Sequence, residues 1–92
     1  MYQLVFTNRF KKDAKLLQKR GFNMEILKQI ILYLEKNGFL DSTWHPHKLG
    51  GNYSDFWEAH LQPDWLIIWK SIADKSEILL VRTGSHSDPF KS

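Results

Sequence analysis

Histidine, aspartate and arginine side chains near the ends of two apolar segments are the residues of this chain that could do chemistry. A histidine can take or give a proton near neutral pH, an arginine can hold a phosphate, and an exposed aromatic ring can stack on a base. Together these groups suit acid–base chemistry on a phosphodiester beside a stackable base. The residues concerned are His60, Asp64, Trp65, Arg82, His86 and Phe90.

The other two histidines, His45 and His47, lie in a stretch that ends with Gly50-Gly51. Such a loop can fold over the edge of a sheet, which would bring His47 to the same site. Either histidine can also be an ordinary surface residue. Zinc binding is a further alternative, because His45-Pro46-His47 has ligand-like spacing, although the sequence has none of the usual helix-borne or cysteine-containing zinc motifs. The remaining zinc ligands would come from His60, Asp64 or His86.

Each charged or aromatic candidate also has a purely structural interpretation. Arg82 could form a salt bridge with Glu58 or Asp64 instead of holding a phosphate. Asp64 could cap a turn, and Trp65 could belong to the core. Lys70 could contact a phosphate or simply face solvent from a strand. These alternatives stay open at the level of the sequence.

The composition is that of one small globular domain with an uneven charge. The chain has 92 residues, of which 42% are hydrophobic, and its net charge is +3. Residues 1–37 hold eight basic and three acidic side chains, a local charge of +5, so the rest of the chain carries −2. This basic part is expected to bind a polyanion or an acidic protein, unless it is only a solvated helix face. Its lysines on the first predicted helix are Lys11, Lys12, Lys15 and Lys19.

Nothing in the sequence predicts secretion or membrane insertion. The N-terminus lacks the basic start and the apolar stretch of a signal peptide. No apolar run approaches the roughly 18–20 residues that span a bilayer, and the chain has no cysteine for a disulfide or a thiolate metal site. We therefore expect a cytoplasmic protein that has no membrane partner.

Hydrophobic periodicity predicts the order βααβββ and an α+β fold in a single domain over residues 1–92. Two segments have apolar residues at helical spacing, and each follows a residue that can cap a helix. The predicted helices start after Thr7 or Asn8 and after Asn23, and they end at Gly21 and at Asn37-Gly38. Strands are predicted over 2–6, 53–60, 65–71 and 77–82. Short links between the last three favour hairpins, so the two helices would pack on a mostly antiparallel sheet.

Three spaced motifs connect the candidate residues. They are His47-x-Leu49-x-Gly51, Ala59-His60-x-x-Pro63-Asp64-Trp65-x-Ile67-Ile68-Trp69-Lys70 and Arg82-Thr83-Gly84-Ser85-His86-x-x-x-Phe90. In this order they make the chain resemble the YafQ-type toxins of bacterial toxin–antitoxin pairs, within the RelE/ParE superfamily. The resemblance covers nearly the whole chain and includes the lysine-rich first helix. Trp69 stands where the family commonly has a tyrosine, and His45 is an additional histidine outside the motifs.

The resemblance implies an endoribonuclease that enters the ribosomal A site and cuts mRNA during translation, with a cognate antitoxin as its inhibitor. The catalytic residues would be His47, His60, Asp64, Arg82 and His86. The resemblance does not say which of them is the general base. Contacts with RNA are expected from Trp65, Lys70, Phe90, Lys11, Lys12 and Lys15. The toxin–antitoxin complex would bind operator DNA through the antitoxin.

A site of this kind needs no metal or other cofactor, because RNA supplies its own nucleophile, the 2′-OH. The enzyme has to deprotonate this hydroxyl, stabilise the charged phosphorane-like species and protonate the leaving 5′-oxygen. Three other functions stay open: a ParE-like gyrase poison on the same fold, a metal-dependent hydrolase, and a simple RNA-binding module.

Overall fold

The computed structural model describes residues 1–51 and 55–85, which form two helices and a five-stranded sheet. In chain order the elements are β1 (Gln3–Phe6), α1 (Asn8–Lys19), α2 (Met24–Asn37), β2 (His47–Lys48), β3 (Phe56–Gln62), β4 (Trp65–Ile72) and β5 (Glu77–Ser85). Single-turn 3₁₀ helices at Ser42–Trp44 and Ala73–Lys75 lie in the connections.

The sheet has the strand order β1-β5-β4-β3-β2. β1 pairs with β5 in parallel, and the other neighbouring pairs are antiparallel. The predicted α+β fold, with two helices on a mostly antiparallel sheet, is therefore confirmed. The long connection through α1, α2 and three strands permits this parallel pairing, which a short turn could not make.

Two details of the predicted strands are wrong. β2 was not predicted, because two residues give no alternation to detect. β5 continues to Ser85 instead of ending at Arg82, since Gly84 and Ser85 pair with β4 although neither residue type favours strands. The first residues of the strand predicted over 53–60 lie outside the described part of the chain, and β3 is described from Phe56.

Local chemistry explains where the helices begin and where α2 ends. The hydroxyl of Thr7 accepts a hydrogen bond from the N–H of Phe10 at 3.0 Å, and the side chain of Asn23 caps α2 in the same way. Gly38 ends α2 in the left-handed conformation, with φ at +79°. A Cβ at this position would overlap the ring of Tyr2, so the close packing of the N-terminal residues onto the end of α2 also requires a glycine.

One core lies between the helices and one face of the sheet. Trp65 and Trp69 are its largest buried side chains, and Trp57 stacks on Trp69 with ring centroids 6.2 Å apart. The other core residues include Phe10, Leu17, Leu27, Ile30 and Leu34 from the helices and Ala59, Ile67, Ile78 and Leu80 from the strands. Neither of the described helices is long and apolar enough to cross a membrane.

Candidate active site

β2 and β3 bring two of the candidate histidines together. Because side chains alternate along a strand, the core residue Ala59 leaves Glu58 and His60 on the opposite face of β3. His47 lies directly across from Glu58 in the β2–β3 pair. The ring centroids of His47 and His60 are 6.4 Å apart, at an angle of 32°. The structure therefore places both imidazoles where they can contact the same small group.

A buried carboxylate holds His47 in place. Nε2 of His47 lies 3.2 Å from Oε1 of Glu58, whose side chain is 6% exposed. Nδ1 of the same ring lies 3.3 Å from the backbone carbonyl oxygen of His45. Contacts at both nitrogens give the ring a defined orientation at the edge of the sheet, and about half of its side chain (51%) faces solvent.

A second carboxylate, Asp13 of α1, holds Arg82. Nε of Arg82 donates to Oδ2 of Asp13 at 2.7 Å, and Nη2 donates to Oδ1 at 3.3 Å. The backbone N–H of Thr83 donates to the same carboxylate at 3.1 Å. Asp13 was not among the partners that the sequence suggested for this arginine. Arg82 is paired with Ile68, which is paired with Glu58, so Arg82 and the His47–Glu58 pair belong to one row of residues across four strands.

Asp64 and Trp65 are adjacent at the turn between β3 and β4, but Asp64 is exposed and Trp65 is buried. Asp64 is exposed in this turn, at the end of the sheet where His60 lies. Trp65 is 0% exposed; its Nε1 donates to Oγ1 of Thr83 at 2.9 Å and its ring meets Phe22 edge-on, with centroids 5.1 Å apart. The prediction that Trp65 contacts RNA is therefore wrong, because a fully buried ring cannot stack on a base. Its alternative interpretation, a core residue, is confirmed.

The basic candidates lie on two different elements. Lys70 of β4 shares the face of Glu58 and His60, and its Nζ lies 5.5 Å from the ring centroid of Phe56, a cation–π distance. The three candidate lysines of α1, Lys11, Lys12 and Lys15, are all exposed. The two remaining candidates, His86 and Phe90, lie outside the described residues.

The zinc alternative depends on the geometry of the possible ligands. Over residues 1–51 and 55–85, no three histidine, aspartate or glutamate side chains are grouped so that they could hold a metal ion. In the His45-Pro46-His47 segment, the contact between the two histidines runs from a ring nitrogen of His47 to the backbone oxygen of His45.

Known proteins share both the sequence and the fold of this chain. The family profile described as "Bacterial toxin of type II toxin-antitoxin system, YafQ" matches residues 2–91. The chain belongs to the YafQ family. The mRNA interferase toxin YafQ of Escherichia coli K12 is 35% identical to it over 88 residues, which make up 95% of this chain and 94% of that protein.

Solved structures extend the similarity of this YafQ-family chain to the whole fold. The E. coli DinJ–YafQ complex matches with a TM-score of 0.85 at 33% identity, over 98% of this chain and 99% of the matched one. A metal-bound toxin from Helicobacter pylori matches with a TM-score of 0.86 at 34% identity, over 98% and 100% of the two chains. The predicted class, a type II toxin, is confirmed, and the prediction of an endoribonuclease is confirmed at the level of the YafQ family.

Sequence reasoning missed two residues of this YafQ-family site, Asp13 and Glu58. Both carry signals that could have been used. Asp13 is the one acidic residue of the lysine-rich helix α1, and its contact with Arg82 explains that exception. Glu58 precedes His60 by two positions in the same strand, so alternation alone puts the two side chains on one face.

Proposed function

We propose that this toxin cleaves mRNA on the ribosome by a metal-independent attack of the RNA 2′-OH. The observation that carries the proposal is the spacing of His47 and His60, whose ring centroids are 6.4 Å apart on the sheet face that also bears Lys70. Arg82 adds a fixed guanidinium from β5, which is separated from β3 by β4. Two imidazoles, with a guanidinium further along the same sheet, can serve the proton transfers and the negative charge of a phosphodiester reaction.

The reaction balances within the RNA itself. A base takes the 2′-OH proton as the 2′-oxygen bonds to phosphorus, and the bond from phosphorus to the 5′-oxygen breaks. An acid then gives a proton to that 5′-oxygen, which leaves a 2′,3′-cyclic phosphate on one product and a 5′-OH on the other. The ribosome would hold the nucleotide in the in-line geometry that the attack requires.

We assign the proton transfers to the group formed by His47, His60, Asp64 and His86, and the stabilisation of the phosphate charge to Arg82. Asp13 supports this role of Arg82, because a guanidinium held by its Nε and Nη2 cannot drift away as charge develops on the phosphate. Lys70 and Phe90 remain proposed RNA contacts, as do the lysines of α1: Lys11, Lys12 and Lys15. Trp65 is left out of the RNA-binding set because it is buried.

The family also supports a cognate antitoxin as the partner of this toxin, since the E. coli relative has been solved as a DinJ–YafQ complex. We extend this to an antitoxin that neutralises the chain in the cytoplasm and carries the complex to operator DNA. A ParE-like gyrase poison is not favoured, because such a toxin has no use for paired histidines beside an arginine.

Cleavage in a translating extract tests the proposal. The purified toxin is expected to cut translated mRNA and to leave cyclic-phosphate and 5′-OH ends, both with and without excess EDTA. Since a metal-bound H. pylori relative is known, zinc and copper are added back in separate arms. Loss of cleavage in EDTA with recovery on either metal would overturn the metal-independent mechanism, and intact mRNA in all arms would overturn the function.

Two variants identify the toxin as the source of that cleavage. His60→Ala removes a half-buried imidazole from the face opposite the core and is expected to lower the rate by about 10²–10⁴. The matched control is His45→Asn, an exposed histidine outside the motifs with φ at +52°, since asparagine tolerates this left-handed conformation. The control should cut like the parent. Equal cleavage by His60→Ala and the parent would remove this histidine from the mechanism.

A further inference from the structure

Glu58 is the most unusual residue on the catalytic face of the sheet. The residue is 4% exposed, although a carboxylate is rarely buried without a compensating contact. It also occupies the middle of β3, where glutamate is a poor strand former. A residue that departs from the rules of both burial and strand propensity is expected to serve a function.

The contact that compensates this burial is with His47. Its Nε2 faces Oε1 of Glu58 at 3.2 Å, and its Nδ1 faces the carbonyl oxygen of His45 at 3.3 Å. When Nε2 donates to this carboxylate, it carries the ring hydrogen. In that arrangement Nε2 of His47 directs no lone pair towards an RNA hydroxyl.

We propose that Glu58 is a positioning residue of the ribonuclease site: its carboxylate accepts from Nε2 of His47 and fixes the ring beside His60. The proposal rests on the function proposed above and adds a role that the motifs did not contain. His47 then supplies a fixed polar group next to the phosphate, and the 2′-OH proton goes to another member of the site.

The relative positions of the two strands explain why glutamate suits this role. Glu58 and His47 are directly opposite in an antiparallel pair, where the two Cβ atoms lie about 4.5–5.5 Å apart. A carboxylate and an imidazole that meet across this distance leave the ring on the sheet surface, and 51% of the His47 side chain stays exposed. Glutamate therefore orients the ring without withdrawing it from RNA.

A double-mutant cycle tests whether Glu58 acts through His47. Glu58→Gln keeps the size of the side chain but removes the carboxylate, and we expect cleavage to fall by about 10- to 100-fold, the usual range for a group that orients another. In a His47→Ala background the same substitution should have no further effect. Glu77→Gln, a half-buried glutamate of β5 opposite Ile72 of β4, is the matched control and should cut like the parent.

Nuclear magnetic resonance of ¹⁵N-labelled histidine gives a readout that needs no RNA. The parent protein should show hydrogen on Nε2 of His47, and Glu58→Gln should change that signature. A bare Nε2 in the parent would overturn the proposal, as would an equal loss of cleavage in the presence and absence of His47. If the parent leaves mRNA intact, the proposed ribonuclease function is overturned. The imidazole spectrum still decides separately whether Glu58 holds His47.

Discussion

Two polar groups of the candidate site, Arg82 and His47, are each held by a carboxylate from another element. Asp13 binds two nitrogens of Arg82 and the N–H of Thr83, and Glu58 holds His47. Such contacts fix charges before the substrate arrives, so no free energy is spent in reorganising them during the reaction. The proposed metal-independent mechanism depends on such contacts, because it has no ion to organise the reacting groups.

Asp13→Asn tests this principle at the residue scale. The asparagine can still accept from one donor of Arg82, but it loses the charge that holds the guanidinium. We expect a decrease in kcat of about 10-fold with KM less affected, and a decrease in the free energy of unfolding of about 1–3 kcal/mol. Single-turnover cleavage and urea unfolding measure the two effects. Asp74→Asn, an exposed aspartate in the β4–β5 connection, is the control.

An alternative explanation of that result is a loss of folded protein. The unfolding data exclude it if the variant remains folded under the conditions of the cleavage assay. A fall in rate that merely follows the folded fraction would mean that Asp13 stabilises the fold and does not position Arg82.

At the scale of elements, α1 occupies the edge of β5 that β1 leaves open. β1 pairs with β5 only as far as Leu80. From there Thr7 donates from its hydroxyl to the carbonyl of Val81 at 3.0 Å, and Asp13 accepts from the N–H of Thr83. The helix thus satisfies backbone groups that a neighbouring strand would otherwise bind. As a consequence, the exposed lysines of α1 lie on the element that contacts Arg82.

Charge reversal on α1 is therefore expected to weaken binding to the ribosome. Lys11→Glu with Lys12→Glu should lower the affinity and reduce the slope of log affinity against log salt, by about one for each phosphate that the helix no longer binds. Lys28→Glu with Lys75→Glu, which reverses two exposed lysines outside α1, should have a smaller effect. Ribosome binding measured over a range of salt concentrations gives both slopes. Identical slopes in the two double variants would show that the α1 lysines only face solvent and do not bind phosphates of the ribosome.

At the scale of the whole molecule, the N-terminal residues join the end of α2 to the last strand. The N–H of Tyr2 donates to the carbonyl of Glu35 at 2.8 Å, and that of Gln3 donates to the carbonyl of Ser76 at 2.9 Å. The ring of Tyr2 lies against Gly38, where the left-handed turn leaves space because there is no Cβ. This arrangement ties the start of the chain to both α2 and the residue before β5.

Gly38→Ala should destabilise the protein more than a matched substitution elsewhere. Gly21 has a similar positive φ of +85°, but a Cβ there would have nothing within 4 Å, so Gly21→Ala measures the backbone strain alone, about 1–2 kcal/mol. Gly38→Ala adds the overlap with Tyr2, expected to cost a further ~1–3 kcal/mol. Thermal and urea unfolding measure the difference. Tyr2→Ala in the Gly38→Ala background should remove most of the additional cost, and equal destabilisation by both alanines would show that the Tyr2 ring simply moves aside.

The sequence by itself determined the features that depend on residues close to one another along the chain. The caps at Thr7 and Asn23, the glycine end of α2 and the apolar faces of both helices follow from interactions over a few positions. The three motifs also determined the family, because their order and spacing can be recognised without any knowledge of contacts. His60 and Asp64 could be proposed for the site on the same basis.

Only the tertiary structure decided which side chains are exposed and which are paired. Trp65 lies between a polar turn and an apolar strand, and only the packing of Phe22 and Thr83 around it made it a core residue. Asp13 and Arg82 are 69 positions apart, and no local pattern links a helix to the edge of a strand at that separation. Burial and long-range pairing depend on how the elements come together, and for this reason the residues that hold the site were found only in the fold.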